Sequence, residues 1–249
     1  MTSTDISTRV LVPIGALGLG VDAGDVQRGI AAGAHAIACD AGSTDSGPAY
    51  LARGVAKYSR AAIKTDLKIL MKARHEAGIP LLIGSCGTSG NDKALDWTVE
   101  VALEIARELG QNPRIAVLYS EQGRQDMADA ARAGLVSPLP PMQGAEPSLF
   151  LECDHIVALM GPEPYIAALE AGADIVLGGR TTDTAVLAAM PLMRGAGAGA
   201  AWHAGKVAEC GALCSVKPRE GGVMIHVGRD GFEVEPLRPG NACTPYTVS

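Results

Sequence analysis

What most restricts the fold of this chain is the recurrence of short apolar runs, each closing on small or polar residues and followed by a stretch of helical period. The runs are Val10–Ile14, Ala34–Cys39, Pro80–Ile83, Arg114–Tyr119, His155–Met160 and Asp174–Leu177. None alternates cleanly, and a strand apolar on both faces belongs in a sheet covered by helices on both sides. Strand-like and helix-like segments in alternation are the mark of βα units, whose strands are parallel. Helical period is clearest over about 59–76, 92–109 and 124–133, with shorter stretches near 164–171 and 182–190. Gly78, Gly110, Gly134 and Gly172 follow four of them, where a left-handed residue ends a helix.

These observations predict an α/β fold: a parallel sheet of about six strands with helices on both faces, Rossmann-like and doubly wound. A (β/α)8 barrel is the alternative, because Ala171–Arg180 (AGADIVLGGR) is similar to the late strand-and-loop phosphate cradle of such barrels. Six strands rather than eight favour the open sheet. With 249 residues the chain suffices for one large domain or two small ones, and at 4 % aromatic its core must be aliphatic. Residues 1–200 read as the α/β domain. Val223–Val227 and Phe232–Glu235, flanking Gly228–Gly231, read as a β-hairpin, so 201–249 is expected to be a helix plus hairpin region that begins a second subdomain. The proline-rich stretch Leu135–Pro147 and Gly195–Gly199 (GAGAG) read as irregular connections. Gly240–Ser249 has no polar tail or closing helix, an ending expected of a fragment or of one half of a split polypeptide.

Charge excludes several functions. The formal charge of −6 is dispersed and offers no basic face for phosphates, so nucleic acid is not an expected partner. The apolar runs have only strand length and Met1–Arg9 lacks a secretory pattern, so a cytoplasmic, membrane-free protein is expected. The six cysteines are widely spaced and read as free thiols. Cys210 and Cys214 stand four apart, but no second Cys/His pair has zinc-site spacing, and no metal is expected.

In parallel sheets, ligands sit outside the carboxyl ends of the strands. Three loops there concentrate glycines and hydroxyls: Asp40–Pro48 with Ser43, Thr44 and Asp45; Gly84–Gly90 with Ser85, Cys86, Gly87 and Thr88; and Gly178–Thr184 with Gly179, Arg180, Thr181, Thr182 and Asp183. Glycine admits close backbone approach, and a helix starting there presents free N–H groups, so the three loops together are expected to bind an anion. Arg180 can fork onto a carboxylate or phosphate, and Asp183 can cap the helix or orient Arg180. Each loop taken alone is equally an ordinary helix start. Candidate catalytic groups are Asp40 and Asp45 as base, metal ligand or simple cap, Cys86 as a strand-end nucleophile or buried thiol, and His203, whose helical neighbours Lys206 and Glu209 are titratable. Glu121 after the fourth run is expected on the same rim. SCGTSGN lacks the Walker lysine and GALGLG is not GxGxxG, so no motif identifies a cofactor.

Six segments together resemble the acyclic terpene utilisation (AtuA-like) family: LVPIGALG, DAGSTDSGP, IPLLIGSCGTSG, AGADIVLGGRTTDTA, AWHAGKVAECGA and PYTVS. The resemblance covers almost the whole chain and implies a role in the catabolism of acyclic terpenes and of small branched or dicarboxylic acids. It also implies a longer protein, since members of the family continue past the stretch matching CTPYTVS. The expected function is an enzyme acting on a small carboxylic acid or its acyl-CoA thioester by hydration, dehydration or isomerisation, working as a homo-oligomer or with a partner subunit. A non-catalytic anion- or acyl-binding subunit is the alternative.

Overall fold

The computed structural model describes residues 7–42, 47–144 and 146–248. The chain runs β1 (Thr8–Val12), α1 (Ala23–Ala31), β2 (Ala36–Asp40), α2 (Ala49–Arg53), α3 (Arg60–Ala77), β3 (Leu81–Gly84), α4 (Asp92–Glu108) and β4 (Ile115–Leu118). It continues through α5 (Arg124–Arg132), α6 (Pro147–Glu152), α7 (Glu163–Glu170), β5 (Ile175–Gly178), α8 (Asp183–Met193) and α9 (Ala198–Ala208). A 3-10 turn at Gly211–Cys214, β6 (Val223–Val227), β7 (Phe232–Pro236) and α10 (Pro245–Val248) complete it.

One open sheet holds all seven strands in the order β4-β5-β3-β2-β1-β6-β7. The first five are parallel; β6 and β7 are antiparallel to their neighbours. From β1 to β4 the chain moves toward one edge, and α1, α3 and α4 pack on one face with Leu11, Ile37, Leu81, Ile83 and Ile175. It then turns back through β5 to β6, and α7, α8 and α9 cover the other face with Val10, Ala38, Leu82, Val176 and Ile225. Right-handed crossovers that reverse direction must change face, which is why the sheet is doubly wound. Val10, Leu11 and Val12 thus alternate between two cores, both apolar.

Helix ends follow local chemistry. Ser59 accepts the Ala62 amide at 3.2 Å and Asn91 the Ala94 amide at 2.8 Å, each capping a helix start, and Gly78 closes α3 at φ 66°.

One expectation needs correction. His155–Met160 is not a sheet strand: it makes only the isolated bridges Glu121↔Val157 and Met160↔Thr181, and every residue in it is partly or fully exposed. The expected hairpin is β6 and β7, and β6 also pairs along the whole of β1, from Thr8↔Val227 to Val12↔Val223. Among the described residues no helix is long and apolar enough to cross a membrane.

Candidate functional site

The loops after β1 to β5 emerge at one edge of the sheet. Neighbouring strands whose helices leave toward opposite faces open a crevice in such sheets, and here those strands are β3, leading to α4, and β5, leading to α8. Two of the three expected anion loops meet there, but they are closed onto each other. Ser85 and Cys86 amides donate to the Gly179 and Gly178 carbonyls at 3.0 and 2.9 Å, and Arg180 N–H donates to the Gly90 carbonyl at 3.0 Å. Ser85 Oγ donates to the Thr181 carbonyl at 3.1 Å, and Tyr165 hydroxyl lies 2.8 Å from Thr181 Oγ1. Gly90, at φ 69°, lies so close that an added Cβ would overlap the Arg180 amide; Gly87 abuts Ala94, and Gly179 abuts Ser120. The small residues there serve the seam.

The open space lies beside it, over the ends of β1 and β2: a cavity of about 680 Å³. Asp40, Gly42, Thr88 and Asp183 line it, with the loop after β1 (Pro13–Gly20), Lys57 and Tyr58 before α3, and Glu209 to Leu213 after α9. Asp66 on α3 builds the first of these walls. Buried at 2 % exposure, its carboxylate accepts the amides of Gly18 and Gly20 on Oδ2, at 2.8 and 3.0 Å, and that of Val21 on Oδ1 at 2.8 Å. Thr88 and Ser85 are held at φ 80° and 48°, conformations that cost L-residues roughly 1–3 kcal/mol each and cluster at functional sites.

Asp40 is the chemically unusual group. It is 3 % exposed; Oδ2 accepts the Gly42 amide at 2.9 Å, while Oδ1 has no hydrogen-bond partner among the described residues, Ser85 Oγ having turned to Thr181. Burial pushes the carboxyl well above the ordinary carboxylate range, and the charge of Asp183 adds to this; Arg180, the Gly42 amide and the nearby Ser85 hydroxyl oppose without cancelling it. Burial thus disfavours the charged form of Asp40, and with Oδ2 accepting the Gly42 amide, Oδ1 is the oxygen on which a proton would sit. Asp183 is held by Arg180, with Nη2 to Oδ1 at 3.0 Å.

The sequence candidates thus separate. Asp40, Thr88 and Asp183 share the cavity. Arg180 does not line it: the guanidinium is buried and faces Asp183 and, at 3.5 Å each, the carbonyls of Gly42 and Thr88. Thr182 is the N-cap of α8 without a side-chain cap bond. Cys86 is 0 % exposed in the α3/α4 core, and burial with the nearby Asp40 pushes its thiol far up, the opposite of an activated nucleophile. His203 stacks edge-on against Phe232 of β7, its centroid 4.9 Å away, outside the cavity wall. Six residues on at about 100° each, Glu209 lies roughly 120° around α9, so it reaches the cavity and His203 does not. Glu121 is engaged apart from the cavity, by His155 Nδ1 at 2.5 Å and the Asp92 amide at 2.9 Å. Ser43, Thr44 and Asp45 lie outside the described residues. Reading the sequence missed Asp66, Lys57, Arg219 and Arg238, which arrive from distant segments and carry no local motif.

The chain is thus an open-sheet α/β protein with a cavity of about 680 Å³ at its carboxyl edge, lined by the buried acid Asp40 and by Asp183, which Arg180 holds from behind. The family model for "Acyclic terpene utilisation family protein AtuA" matches residues 44–227, well over half of the chain. The chain belongs to this family. No curated protein and no solved structure matches it.

Proposed function

We propose that the chain is a catabolic enzyme that moves a proton on a small carboxylic acid or its acyl-CoA thioester, in a hydration, dehydration or isomerisation. The carrying observation is Asp40: a carboxyl buried on the cavity wall, its pKa raised by burial, with one oxygen that no group among the described residues engages; on this reading it is the protonated acid. A neutral acid and a neighbouring carboxylate are the two halves that acid–base chemistry requires near neutral pH. Asp40 donates a proton to the substrate carbonyl as charge develops on it, and Asp183, oriented by Arg180, takes one from the adjacent carbon. Arg180 is a positioning residue in this scheme. Membership in a family linked to acyclic terpene utilisation supports an acid or acyl substrate, and the apolar walls at Ile14, Leu19 and Leu213 suit a hydrocarbon chain. The enzyme works in the cytoplasm on this reading.

Incubation with a panel of unsaturated mono- and dicarboxylic acids and their CoA thioesters in deuterated water tests it. The expected result is deuterium at the carbon next to the carbonyl of at least one substrate, lost in both Asp40→Asn and Asp183→Asn. Exchange that survives both substitutions removes the pair from the mechanism.

A further inference from the structure

The groups lining the cavity include four acids, Asp22, Asp40, Asp183 and Glu209, and three bases, Lys57, Arg219 and Arg238, which suggests a slightly negative site. The pairing reverses that sign. Asp22 is 2.8 Å from Arg238, which also binds Asp25 at 2.8 Å, and Asp25 in turn holds Arg28. Glu209 pairs with Lys206 at 2.5 Å and accepts the Thr184 hydroxyl at 3.1 Å. Asp183 pairs with Arg180, and burial disfavours a charge on Asp40. Two cations remain. Lys57 Nζ hovers over the Tyr58 ring, 5.8 Å from its centre, and among the described residues no acid comes within 4.0 Å of it or of Arg219. The acid beside Arg219 in sequence, Glu220, is turned to Lys217 at 3.5 Å. Both cations are exposed, whereas Asp40 is buried.

We infer that Lys57 and Arg219 are the anchors for an anionic group on the ligand, and that they seat it at the cavity mouth while its uncharged or carbonyl end reaches Asp40. Two sources supply this chemistry, the second carboxylate of a dicarboxylic acid and the phosphates of a CoA thioester. This inference rests on the cavity being the substrate site proposed above. It relocates the anion contact from Arg180, whose guanidinium is already engaged by protein groups, to two residues on loops before α3 and before β6.

Calorimetric titration of the full chain with glutarate and, separately, with coenzyme A tests it, using wild type, Arg219→Ala, Lys57→Ala and the distant surface variant Arg124→Ala. Both anchors are exposed, so folding is expected to survive and is checked by circular dichroism. The expected result is that wild type binds at least one probe, that each anchor variant binds it about tenfold or more weakly, and that Arg124→Ala binds as wild type does. Binding of glutarate alone identifies a dicarboxylate, and of coenzyme A alone a thioester carrier. If neither probe binds, or if both anchor variants bind like wild type, the inference is overturned. Its failure is distinguishable from that of the enzyme reading: lost binding without any deuterium exchange in wild type leaves the anchors standing and removes the enzyme. Exchange with unchanged binding in the anchor variants does the reverse.

Discussion

Replacing Asp40 by Asn should stabilise the protein while abolishing proton transfer. In the unfolded chain this carboxyl is ionised and hydrated above pH about 4. In the fold it must take up a proton or keep a charge with one unpartnered oxygen at 3 % exposure. The sign follows from the raised pKa: the folded state holds a proton that the unfolded state has released, so this contribution is fully present below pH about 4 and is lost as pH rises toward the folded pKa. Asn keeps an oxygen for the Gly42 amide and has no charge to bury. Relieving a buried, unsatisfied acidic group is worth about 1–3 kcal/mol, and at roughly 2–4 °C per kcal/mol for a chain of this size Tm should rise by about 2–12 °C at pH 7.5. Calorimetric scans of both proteins from pH 4 to 8 should show the gap widening with pH, wild type falling relative to the variant. A gap that is flat, or a variant that melts lower throughout, would show Asp40 to be ionised and well partnered, and the acid assignment would go with it.

Three further outcomes follow from the packing. Asp66→Ala removes the acceptor of three loop amides and should cost about 2–4 kcal/mol in urea unfolding, with weakened binding of any cavity ligand; unchanged affinity would mean that the loop after β1 is not a functional wall. Tyr165→Phe should lower the urea midpoint at constant m by about 1–2 kcal/mol, since it leaves Thr181 Oγ1 and the Ile83 carbonyl short of a buried partner; no shift would argue that the β3/β5 seam does not depend on that hydroxyl. His203→Ala should leave deuterium exchange intact and cost no more than about 1 kcal/mol through the lost Phe232 contact, and a large loss of exchange would return His203 to the site.

The strands β1 to β5 were legible because each is an apolar run bounded by turn residues, and its lack of alternation correctly signalled two buried faces. His155–Met160 misleads for the same reason: a run of apolar letters carries no sign of whether a partner strand is available, and here the chain only brushes Glu121 and Thr181. Strand order was not legible at all. That β5 enters between β3 and β4, and that β6 completes the sheet beside β1, depends on crossovers longer than any local pattern.

The same distinction governs the site. Glycines and hydroxyls at strand ends have two physical uses: admitting a ligand's oxygens to the backbone, or admitting another backbone. At Gly90 and Arg180 the second use won, since the seam satisfies its own amides and carbonyls and fills the crevice where a ligand would otherwise sit. Composition is identical in the two cases, so GGRTTDT and SCGTSG could mark the neighbourhood but not the contact. What separates them is unsatisfied chemistry: the Asp40 oxygen without a hydrogen-bond partner and the cations Lys57 and Arg219 without an acid among the described residues. Those are properties of pairing between distant segments, Arg219 lying more than 150 positions beyond Asp40 and Lys57, and they appear only when the other charges along the cavity have found their partners.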